Sequence, residues 1–181
     1  MKVKNISIFL LLLLIVTNIV FSQEEKREKS KLQDFTSKTG AIIKFDDYNL
    51  NNIKTTFSVA NSKVRKIIRG NEIQYFLQIS NEGKYGRKVA SIAYEDILEV
   101  QKALVSLKSQ SETDIGTNSD YLENKFITDD GIQVGYYLEK GRLKWYITLE
   151  KYGSDNTIFP KDFDVIESAF REGKEKIDQL K

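Results

Sequence analysis

The chain of 181 residues contains no cysteine, no histidine, one proline and one methionine. Without cysteine there is no disulfide framework, no thiol nucleophile, no zinc ribbon and no thiol for lipid attachment. Without histidine there is no Ser-His-Asp triad and no imidazole-ligated metal. Catalysis would fall to carboxylates, hydroxyls, lysine and tyrosine alone. Asp46-Asp47 and Asp129-Asp130-Gly131 gather oxygens, but neither run approaches the spacing of a calcium loop, and both read as turns. No metal and no cofactor is expected.

Long apolar runs are also scarce. There is one, Ile6 to Phe21, preceded by Lys2 and Lys4, with Val20 and Ser22 at the −3 and −1 positions of a cleavage site. This is the three-part pattern of a secretory signal peptide. Residues 1–22 are expected to be removed after Ser22, and no other stretch could span a bilayer. Lys2 and Lys4 are the only charges in that segment, so 26 basic and 26 acidic side chains remain. The remaining charge balance gives no drive toward nucleic acid or an anionic membrane. Residues 23–34, QEEKREKSKLQD, are dense in charge and read as a flexible tether.

The body, residues 35–181, reads as one domain written twice, over 35–108 and 121–181, with Ser109–Asp120 as linker. Shifted by 70 positions, Val64 falls on Val134, Ile73 on Leu143, Tyr75 on Trp145 and Leu77 on Ile147. After a four-residue difference in loop length near Asn81–Lys88, Asp96 falls on Asp162, Val100 on Ile166 and Leu104 on Phe170. Period-2 alternation marks strands at Ile73–Ile79 and Leu143–Leu149. Ala41–Asp46, Ile53–Ala60 and Leu122–Thr128 are further strands. Turns are expected at Asn61-Ser62, Gly70-Asn71, Asp129–Gly131 and Lys140-Gly141.

Two amphipathic helices follow. Ile97, Val100, Ala103, Leu104 and Leu107 form one stripe; Phe163, Ile166, Ala169, Phe170 and Ile177 form the other. Pro160 suits the first turn of the second helix, and Asp96 and Asp162 suit the positive ends of the two dipoles. The expected fold is α+β: a tandem β-β-β-β-α unit with antiparallel sheets, the two helices on one face, and a pseudo-twofold relation. Four strands then a helix, twice, resembles the topology of the Whirly and Pur-type single-strand-binding domains and, more loosely, the saddle of the TATA-binding protein. The resemblance rests on element order and implies a fold, not a function.

The sheet face away from the helices offers the candidate site. Tyr137, Tyr146 and Tyr152 alternate with core positions and would line it, and tyrosine gives large contact area with a polar tip. In the first unit Arg65 and Arg69 lie on one side of a strand as electrostatic guides, with the ring of Phe76 nearby on the next strand as a further binding candidate. The loop NEGKYGRK, 81–88, has two glycines and three basic residues but lacks P-loop spacing and reads as a hairpin connection. The resulting expectation is a secreted or periplasmic, non-catalytic binding or scaffold domain. Its partner would be a protein or glycan of the envelope, not nucleic acid. The alternatives are a self-associating structural protein, as a homodimer, and a small hydrolase using two carboxylates.

Overall fold

A computed structural model of the protein describes residues 29–56, 58–84 and 86–181. The expected signal peptide and the tether up to residue 28 lie outside the described residues. Helix α1 spans Lys31–Thr36. Strands β1 (Ile43–Asn49), β2 (Ile53–Lys54), β3 (Val59–Arg69), β4 (Glu72–Gly83) and β5 (Gly86–Ala93) precede helix α2 (Tyr94–Asp114). Strands β6 (Tyr121–Ile127), β7 (Gln133–Glu139), β8 (Arg142–Thr148) and β9 (Thr157–Ile158) precede helix α3 (Phe163–Leu180).

The fold is α+β with two antiparallel sheets. The first runs β1-β3-β4-β5, with β2 beside β3; the second runs β6-β7-β8-β9. In each sheet a tight turn joins a central pair of neighbours. Gly70-Asn71 connects β3 to β4, and Lys140-Gly141 connects β7 to β8 with φ of 50° and 73°. At Lys140-Gly141, positive φ at both central residues matches the twist of the strands joined.

Four expectations are corrected. Asn61-Ser62 is no turn: β3 runs through it, with Asn61 opposite Ser80 and Ser62 opposite Ile79, because ladder pairing outweighs local turn preference. Asp46-Asp47 is no turn either, since both lie in β1, opposite Lys66 and Arg65. Asn81–Lys88 is the hairpin connection its sequence suggests. The β4–β5 ladder continues to Gly83 opposite Gly86. The linker is shortened, since α2 extends to Asp114. Pro160 lies before α3 and forms an isolated bridge with Thr55, while Asp162 is the N-cap, accepting from the Val165 N–H at 3.1 Å.

The helices cross between the halves. α3 lies against β2, β3 and β4 of the first sheet, while α2 lies against β6 and β7 of the second and also β4 and β5. Gly173 permits this approach: a β-carbon there would sit 2.9 Å from the Leu77 methyls of β4. One core results, joining Val64, Leu77, Ile79 and Ile92 to Tyr136, Trp145, Ile147, Ile166 and Phe170. Backbone bonds stitch the same junction, from Thr56 N–H to Phe159 C=O at 2.9 Å and from Lys161 N–H to Lys54 C=O at 3.1 Å. Both inner faces are thereby consumed, and each sheet turns its other face outward.

The end of the charged segment is not a tether. Ser30 and Gln33 form a reciprocal capping box that starts α1. Phe35 and Leu32 then pack on Ile67, Phe76 and Ala93, the outer face of the first sheet.

Candidate functional site

The outer face of the second sheet is built by alternation. Across the register, Tyr137 of β7 stands between Glu123 of β6 and Lys144 of β8. Gly135, two residues earlier, stands between Lys125 and Tyr146. Gly135 contributes no side chain, and a β-carbon there would fall 2.3 Å from the Asn124 carbonyl oxygen. The Tyr146 hydroxyl reaches across β7 to donate to Glu123 Oε1 at 2.5 Å.

Four rings converge on this face. Tyr121 stacks on Tyr137 with centroids 6.0 Å apart. Tyr137 meets Tyr146 at 6.4 Å and Phe159 edge-on at 6.4 Å. The Lys144 ammonium lies 5.6 Å from the Tyr137 centroid, within cation–π range. Tyr121 is 57 % exposed, Tyr137 and Phe159 are half-buried, and Tyr146 is buried. Burial, and then the bond to Glu123, push the Tyr146 phenol well above its ordinary pKa. The Tyr146 hydroxyl, with Lys125 beside it, holds the Glu123 carboxyl below the usual range. The face therefore carries an anion held by Tyr146, an ammonium over the Tyr137 ring and a ring cluster open at Tyr121.

Underneath, the strand bearing Tyr121 is pinned through its inner face. Asn124 donates to Asp114 Oδ2 and to the Tyr136 hydroxyl, both at 2.8 Å, and Tyr136 donates to Asp114 at 2.6 Å. Burial first, then the Asp114 bond, raise the Tyr136 phenol to about 12.

The expected site residues are not brought together. Tyr137 is central to the cluster. Tyr146 supports it from beneath and is too buried to be a contact residue. Tyr152 stands 69 % exposed in the β8–β9 loop, under the Lys151 ammonium at 5.5 Å. Arg65, Arg69 and Phe76 belong to the first sheet. Phe76 is fully buried beneath α1. Arg65 grips Asp47 with two bonds of 2.7 Å, and Lys63 adds a third at 2.6 Å. The Arg65 bond, foremost, holds the Asp47 carboxyl at about 2. Arg69 donates to the Phe35 carbonyl at 2.7 Å, pairs with Glu72, and lies 4.3 Å over the Phe35 ring. Both arginines are engaged by internal partners and stand on the sheet that does not carry the ring cluster.

Sequence reasoning missed Tyr121 and Phe159, although each continues the alternation of its strand by one step. It also missed the clasp on α1. The Lys31 ammonium pairs with Asp96 and lies 3.6 Å from both Glu95 and Asp129. The Lys31 backbone N–H donates to Asp130 at 3.1 Å. Asp96 is 1 % exposed, and its Oδ2 has no partner among the described residues. Burial raises the Asp96 and Asp130 carboxyls despite Lys31. This acidic group holds a cation of the chain itself. Only the capping box at Ser30 and Gln33 signalled it in the sequence.

Comparison of the chain with protein-family models, with curated proteins and with solved structures finds no match.

Proposed function

We propose that this is an exported, non-catalytic binding domain whose working surface is the outer face of the second sheet, centred on Tyr137. The observation that carries the reading is the ring cluster of Tyr121, Tyr137 and Phe159, exposed at Tyr121 on a face that no helix covers among the described residues. Exposed rings with a charged rim suit a partner with both apolar and hydrogen-bonding faces, such as a glycan or peptide segment of the cell envelope. Lys144 and Glu123 give that rim both signs, which agrees with the absence of net charge after signal removal.

The test is a crosslinking pull-down from the native envelope, comparing the processed chain with a Tyr121→Ala/Tyr137→Ala variant. Capture by the first and loss by the second, with melting temperature within a few degrees, supports the reading. Equal capture by both removes this face.

A further inference from the structure

We propose that β6 is a self-complementary edge and that two copies of the chain join through it, antiparallel, about a twofold axis at Asn124. β6 ends the second sheet, and among the described residues no strand pairs with its other side. Alternate N–H and C=O groups of its seven residues therefore face solvent.

Soluble proteins usually blunt such an edge with proline, a bulge, a very short strand or an inward-pointing charge. Tyr121–Ile127, YLENKFI, has no proline and pairs with β7 without a break. Its two charges are opposite in sign and equidistant from Asn124. Antiparallel pairing about Asn124 sets Glu123 against Lys125 of the second copy, and Lys125 against its Glu123. The same register sets Leu122 against Phe126 and Tyr121 against Ile127. Every position meets a complementary one, as an isologous interface requires.

The other long edges fail this test. Pairing β1 about its centre opposes Asp46 with a second Asp46. β5 carries Arg87 and Lys88 with no acid on the strand.

The exposures agree with this choice. Tyr121 is 57 % and Ile127 51 % exposed, one at each end of the strand. Asn124 is anchored to Asp114 and Tyr136, so the edge is held straight at the proposed axis. Paired residues share parity, so both outer faces fall on the same side of the joined sheet. Two four-stranded sheets then make one of eight, and two Tyr137 clusters share one surface. The interface does not depend on what those clusters bind.

Sedimentation equilibrium on the processed chain tests it. The expected result is a dimer whose dissociation constant rises about a hundredfold in Lys125→Glu and in Glu123→Lys, since the axis makes each like-charge contact twice. The double exchange Glu123→Lys/Lys125→Glu restores the dimer, because opposite charges again face each other. Lys125→Glu decides the question, because it leaves the Tyr146 bond to Glu123 in place, and circular dichroism confirms its fold. A monomer at millimolar concentration overturns the proposal, as does a dimer unchanged in both single variants. Capture of an envelope partner by a monomeric Lys125→Glu variant would leave the Tyr137 surface standing without the dimer.

Discussion

The two sheets share strand order, hairpin turns and a following helix, yet they finish their outer faces in opposite ways. The first is closed by charge pairing and by the short helix α1 that precedes its strands. Asp47 takes Arg65 and Lys63, Arg69 takes Glu72 and the Phe35 carbonyl, and α1 covers Phe76. The second leaves Tyr121, Tyr137 and Phe159 to solvent. A strand pattern dictates which residues face outward; it does not dictate what covers them. Two faces of equal promise in the sequence thus become a structural seam and a candidate recognition surface.

The largest contrast is expected from Phe76→Ala. It empties a fully buried site between the first sheet and α1 and should cost about 3–5 kcal/mol in denaturant unfolding. A loss under about 1 kcal/mol would mean that α1 does not seal that face.

Lys31→Ala should come next. It leaves the 1 % exposed Asp96 without its cation, at about 3 kcal/mol, the lower end for a broken buried pair because Lys31 is 28 % exposed. Lys31→Met/Asp96→Leu should recover most of that loss, and limited proteolysis before Ile43 reports whether α1 has come away. Failure of the double variant to recover would place the stabilisation elsewhere than in the pair.

Smaller effects divide the halves by pH. Asp47 is depressed from 3.8 to about 2, so its contribution is present above 3.8 and is lost as pH falls through 2. Tyr136 is raised from 10.0 to about 12, so its contribution is present below 10.0 and is lost as pH rises through 12. Asp96 and Asp130 are raised, favour the folded state when protonated, and partly offset Asp47 in acid. The comparison is therefore made by difference. Asp47→Asn should flatten the acid limb of stability against pH, and Tyr136→Phe the alkaline limb. An Asp47→Asn curve parallel to the wild type would detach that carboxylate from the fold.

The smallest stability change should come from Tyr137→Ala, a half-buried ring on the uncovered face, at about 1 kcal/mol. If it matched Phe76→Ala, the second face would be core after all.

Much of this was legible along the chain. The α2 and α3 stripes are the buried stripes apart from half-buried Ala103, and Gly70-Asn71 and Lys140-Gly141 are turns in both readings. These signals are local, carried by periodicity and by residues that tolerate positive φ. The failures are non-local. Asn61-Ser62 has turn chemistry but lies in a strand, because β4 pairs with it on one side. Asp96 and Asp162 matched as helix-start acids, yet Asp162 caps α3 in solvent while Asp96 meets Lys31, 65 positions earlier. Tyr146 alternates like Tyr137, but Gly135 beside it and Glu123 beyond turn it into a buried support.

By itself the sequence determined the α+β class, the turns at Gly70-Asn71 and Lys140-Gly141, the apolar stripes and the outward parity of Tyr137, Tyr146, Arg65 and Phe76. Backbone sterics and side-chain period act within a few residues and can be read in order along the chain. Only the tertiary structure decided that α3 crosses to the first sheet and α2 spans both, that α1 seals one outer face, and that β6 has no strand on its other side among the described residues. Those outcomes depend on burial and pairing between segments tens of residues apart, where Lys31 meets Asp96 and Gly173 meets Leu77.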